Sequence, residues 1–219
     1  MLMEYKSFKK WRAEEVEQAF GIVEVEELTE LEQWVAAKPA LTPRQVEELH
    51  ATHAKARRFV PNWNEEELKL FLIGRLLNAV DFNEFEYRAF AEQQLELTAG
   101  NIGARGLVDF LVANGKQTPQ APYFLLQEYK PVNKTIYDPK GQLIVAMVAA
   151  QKRNEAAGLD QPVYGAYVIG RLWFFVVLTG SRYAVSLAYD CTREDQIAIV
   201  LNALQQVKIY IEELLQTPA

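Results

Sequence analysis

The run VYGAYVIGRLWFFVVL, residues 163–178, limits the fold of this 219-residue chain more than any other stretch. It is too short to cross a bilayer as a helix, and Arg171 sits in its middle. Gly170-Arg171 reads instead as the bend of a β-hairpin joining two buried strands, 163–169 and 172–178. The run GLVDFLVA, 106–113, has the same character. Leu107, Asp109 and Leu111 share one side, Val108, Phe110 and Val112 the other, so both sides are largely apolar and the strand belongs inside a sheet covered on both faces. A third run, YFLLQEYK, 123–130, starts apolar and ends charged. Strand alternation puts Phe124, Leu126, Glu128 and Lys130 on one face.

Helical signals surround these strands. WRAEEVEQAF and EELTELEQWVAAK are helix candidates, the second ended by Pro39. A third starts at LTPRQVEELHATHAKARRF, with Thr42 as cap and Pro43 in the first turn. Together they predict an N-terminal helical arm or cap over residues 1–60, with a junction at VPNWN, 60–64. Asn64 then caps a helix over EEELKLFLIGRLLNAV, with Glu67 as its capping partner. A strand over 85–100 precedes the two central ones. Asp138-Pro139 opens a helix to about Ala157, a third late strand covers 183–189, and a final helix follows Thr192. The order predicts an α/β (α+β) domain over 61–219, a mixed central β-sheet flanked by helices.

Half of the residues are hydrophobic and 24% are charged, which suits a globular core. The net charge of −6 argues against a general polyanion-coating protein and leaves room for a local nucleic-acid site. Residues 99–160 are slightly basic, against a glutamate-rich stretch before residue 68. The single Cys191 excludes an intramolecular disulfide, and MLMEYKSFKKW lacks the apolar core of a secretory leader, so a cytoplasmic setting is expected. There is no phosphate-cradling glycine loop, no serine-nucleophile elbow and no Cys/His zinc spacing. His50 and His53, at i and i+3, read as a solvated helix face; Lys55, Arg57 and Arg58 read as complements to a helix C-terminus.

Asp109 is the one charge within its apolar strand. A buried carboxylate requires a cation, here Lys130, Arg105 or a metal ion. Asp109, Glu128 and Lys130 form D-x18-E-x-K on successive strands. This pattern resembles the PD-(D/E)XK nuclease superfamily, the restriction-endonuclease-like fold. NWNEEELKLFLIGRLL resembles the helix before the first strand in the N-terminal nuclease domains of type I restriction enzymes, and the segment ending in Trp173 and Phe175 is similar to their later hairpin. The residue before Asp109 is Val108 where the pattern has proline, and residues 1–60 match nothing in it.

The resemblance implies metal-dependent hydrolysis of phosphodiester bonds, with nucleic acid, DNA first, as partner. It implies that Asp109 and Glu128 bind Mg2+ or Mn2+ and that Lys130 positions the attacking water. Glu65, on the helix face of Leu68, Leu72 and Leu76, and Gln142, on the face of Val145, Ala146 and Ala149, would support them. The alternative is a catalytically degenerate module that binds nucleic acid or protein, with a homodimer through the helical arm.

Overall fold

The computed structural model describes residues 5–130 and 137–216. The chain opens with β1 (Tyr5–Ser7), α1 (Ala13–Phe20), β2 (Val23–Glu24), α2 (Thr29–Ala36) and α3 (Pro43–Phe59). α3 starts as its sequence dictates: the Thr42 hydroxyl accepts from the Gln45 N–H at 3.3 Å, and the Gln45 side chain takes the Thr42 N–H in return. α4 (Glu65–Leu68) runs through a π-helical turn, Lys69–Ile73, into α5 (Gly74–Val80). Then come three long strands, β3 (Tyr87–Ala99), β4 (Ile102–Asn114) and β5 (Gln120–Lys130). They are followed by α6 (Pro139–Ala156), β6 (Val163–Ile169), β7 (Leu172–Thr179), β8 (Arg182–Val185), β9 (Tyr189–Asp190) and α7 (Glu194–Gln216). No helix of the described residues is long and apolar enough to cross a membrane.

The strands form one mixed sheet in the order β1-β4-β5-β6-β7-β8-β2, with β3 also on β4 and β9 on β7. β3, β4 and β5 make an antiparallel meander, and α6 then returns the chain so that β6 runs parallel to β5. A parallel neighbour cannot be reached by a tight turn, so a crossover helix is obligatory here. The α/β class expected from the sequence is the observed one. The hairpin at Gly170-Arg171 pairs Ile169 with Leu172. The late strand expected over 183–189 is split into β8 and β9: at Ser186 the backbone N–H still donates to the Phe175 carbonyl, but the Phe175 N–H is taken by the Ser186 hydroxyl and regular pairing stops.

A hydrophobic cluster lies on each face. On one face, residues of α2, α3, α5 and α7 meet Val112, Leu125, Val168, Trp173 and Phe175. Trp34 is fully buried there and donates its indole N–H to the Ala203 carbonyl at 2.7 Å, fixing α2 on α7. On the other face α6 packs over Leu111, Leu126, Val163 and Val176 with Phe8, Trp11 and Val16 beside it. α6 is buried nearly all round, so its sequence shows no apolar stripe. Gly165 of β6 gives α6 its close approach: a Cβ there would lie 2.6 Å from the Met147 sulfur.

Residues 5–60, expected as an arm or cap, contribute to both clusters and add β1 and β2 to the sheet. His53, read as solvated, is instead buried, with Nε2 3.0 Å from the Thr192 carbonyl. A second correction concerns β5. The register slips between Val112↔Leu125 and Ala113↔Tyr123, so Phe124 and Leu126 join opposite clusters. This bulge interrupts the alternation that would have put them on one face.

Candidate active site

The site lies where β4 loses its partner. Pairing with β5 ends at Phe110↔Gln127, and farther along that edge pairing with β1 begins at Ser7↔Arg105. Gly106 to Asp109 lie between these two stretches. Gly106 lets the N-terminal segment lie close, since a Cβ there would be 2.5 Å from the Phe8 Cβ. At the other end of the gap, the Asp109 carboxylate replaces a ladder acceptor: Oδ2 takes the Tyr129 N–H at 2.9 Å. Glu92, between the pairs Ala91↔Phe110 and Gln93↔Val108, has the left-handed φ of 51°.

Glu128 and Lys130 project from the last turns of β5, and both are buried. Lys130 Nζ donates to Glu128 Oε1 and, at 2.9 Å, to the Tyr129 carbonyl. Burial raises the Glu128 pKa, the Asp109 charge raises it further, and Lys130 only partly opposes them; the result is about 8. Glu128 is therefore held toward its protonated form, by burial first and by the neighbouring Asp109 charge second. Burial and the same two acids also push the Tyr129 phenol well above its ordinary range.

A second lysine, Lys69, completes the group. Its Nζ lies 3.1 Å from Glu65 Oε1, 3.5 Å from Asp109 Oδ1 and 3.7 Å from Glu66 Oε1. Burial alone would lower its pKa, but Asp109, Glu65 and Glu66 outweigh burial and raise it. Lys69 begins the π-helical turn, which Gly74 permits: a Cβ at 74 would come 2.9 Å from the Lys69 carbonyl. At the start of this helix, Asn64 and Glu67 cap each other at 2.9 and 3.0 Å, as the sequence predicts.

Asp109, Glu128 and Lys130 are thus brought together, and Glu65 reaches Asp109 through Lys69. Gln142 is buried on α6, and its Oε1 has no hydrogen-bond partner among the described residues. Of the partners considered for Asp109, Arg105 instead lies over the Tyr5 ring at 5.5 Å. Cys191 is fully buried, and burial holds its thiol well above the ordinary value, which fits a small core residue. Lys69 was missed by sequence reasoning, although the i,i+4 spacing from Glu65 was there to read.

The described residues contain no group of three or more His, Cys, Asp or Glu side chains placed to hold a metal. The donor set is the carboxylate pair Asp109 and Glu128, with Asp109 Oδ2 taken by the Tyr129 N–H and Glu128 Oε1 by the Lys130 ammonium. That fits Mg2+, which keeps several waters and takes one or two carboxylates, better than a caged ion such as structural zinc. The raised Glu128 pKa is the electrostatic counterpart of that fit, since such a pair gains from added positive charge. Comparison with protein-family models and with curated proteins finds no match.

Proposed function

We propose that this chain is a metal-dependent nuclease that hydrolyses phosphodiester bonds, of DNA first, in a cytoplasmic setting. One observation carries the reading: Asp109 on β4 and Glu128-x-Lys130 on β5 converge where the two strands part. The meander, crossover helix and parallel fourth strand support the same reading, because they put both carboxylates on neighbouring central strands.

Asp109 and Glu128 would hold Mg2+ or Mn2+. A cation held there supplies charge for the phosphate oxygens and a more acidic water. Lys130, whose ammonium donates to the Tyr129 carbonyl, would orient that water by donating a hydrogen bond to its lone pair. The water oxygen would attack phosphorus and release its proton to solvent, the P–O bond to the leaving sugar oxygen would break, and that oxygen would take a proton from solvent. Glu65 would act through Lys69 on Asp109, and Gln142 offers near the start of α6 a buried oxygen with no partner among the described residues.

The low exposure of Glu128 and Lys130, 2% and 8%, favours a second reading, a degenerate binding module closed by its own ion pair. Incubation with supercoiled DNA and with RNA in Mg2+ or Mn2+ separates the two. Metal-dependent cleavage is expected, lost in Asp109→Ala and Lys130→Ala with near-ultraviolet dichroism retained. Cleavage at the parental rate in both variants would refute the site assignment.

A further inference from the structure

We propose that Lys69 is a resident cation that competes with the divalent metal for Asp109, so that metal enters by displacing an ammonium. The inference rests on the metal-binding reading above and gives Lys69 a role of its own toward the metal.

Each carboxyl group of the pair has its own lysine, and the two lysine contacts differ in kind. Lys130 and Glu128 are closed in, with side chains 9% and 3% exposed, and Lys130 is held a second time by a backbone carbonyl. Lys69 and Glu65 are 22% and 30% exposed, so Lys69 has a path to water. Its contact to Asp109, at 3.5 Å, is longer than its contact to Glu65, at 3.1 Å. An ammonium on a four-carbon stem is a mobile point charge and can leave one acceptor while keeping another.

The three acids around Lys69 explain how it can yield. When a divalent ion takes the Asp109 carboxylate, a neighbouring ammonium is repelled. Lys69 then keeps Glu65 and Glu66, the latter 3.7 Å away and largely solvated. No charge is left unpaired by the exchange. Without the metal, Lys69 neutralises Asp109, whose other oxygen remains committed to the Tyr129 N–H. Asp109 is therefore held in position for the metal in both conditions. Lys69 is a positioning residue in this account, and Glu65 is its alternative seat.

Calorimetric titration of the whole chain with Mn2+ tests this without reference to cleavage. Lys69→Met is expected to bind Mn2+ roughly tenfold more tightly, the order of effect of removing one neighbouring like charge from a partly screened site. Lys69→Arg, which retains the charge, should bind close to the parental affinity. Glu65→Gln should bind more weakly, because Lys69 has lost its seat, and that weakening should vanish when Lys69→Met is added. Unchanged or weaker binding in Lys69→Met, with the parental site still abolished by Glu128→Gln, overturns the competition and leaves the metal site standing. So does a Glu65→Gln defect that persists in the double variant, since Glu65 would then act on the metal directly. A parental chain that takes up no Mn2+ overturns both the competition and the metal-binding reading.

Discussion

Replacing Glu128 by glutamine should make the metal-free protein more stable in alkaline solution, and the size of the effect follows from the structure. Glu128 is 2% exposed, its pKa is raised from 4.5 to about 8, and its one cationic partner does not offset burial and the Asp109 charge. Between those two values the folded chain holds a proton that the unfolded chain has released. Stability contributed by this group is therefore complete below pH 4.5, declines as pH rises, and levels off above about 8. At about 1.4 kcal/mol for each unit of pKa difference, the total decline is on the order of 5 kcal/mol, with roughly 3 kcal/mol of it lost by neutral pH. Glutamine keeps the shape and an oxygen for Lys130 but has no proton to lose. Urea unfolding followed by far-ultraviolet dichroism, at several pH values from 5 to 9 in a chelator, measures the difference. The variant's stability should change little with pH through this group, and it should exceed the parent by a few kcal/mol at pH 8.5. A variant less stable than the parent by several kcal/mol at pH 8.5 would show that Glu128 is ionised and stabilised by Lys130, refuting the reasoning.

Two further outcomes are expected. Gly165→Ala places a methyl 2.6 Å from the Met147 sulfur and should cost about 1–3 kcal/mol in thermal or urea unfolding, with recovery when Met147→Ala is added. Gln142→Met removes a buried oxygen without a partner and should leave stability unchanged or raise it by about 1–2 kcal/mol; in the cleavage assay it should lower the rate if that oxygen serves the site.

The sheet was legible because its strands are marked by composition that only a two-sided burial explains. GLVDFLVA and the 163–178 hairpin carry apolar residues on both sides, and the hairpin and residues 111–113 lie inside the sheet between helical layers, whereas Leu107 is half exposed where β4 has lost one neighbour. Caps were legible because they need only local spacing, as at Thr42 and Asn64. What escaped were departures from periodicity. The bulge at Ala113–Tyr123 turns Phe124 away from Leu126; Pro122 beside it, which cannot donate to a ladder, was its local sign and went unread. The π-helical turn adds a residue to the helix face and sets Lys69 beside Asp109, forty positions later in the chain. The closeness of Asp109 to Glu128 and Lys130 was implied by the resemblance alone, since the register that aligns two strands is not written in their period. The insertion of residues 5–60 into both layers could not be anticipated, since β1 and β2 are three and two residues long and have no pattern to read.

The placement of β2 also bears on how the chain reaches its native state. β2 closes one end of the sheet by pairing Val23 and Glu24 with Arg182 and Tyr183. Its partner strand is thus made long after it emerges from the ribosome. Until then the N-terminal segment has Trp11, Ile22 and Trp34 to bury and little of its eventual sheet to bury them against. Closing so long a loop carries an entropic penalty that local contacts cannot repay early, so β2 belongs to a late stage of folding. The ordered sheet can form first around β4 to β7, with the N-terminal segment exposing sticky surface in the interval.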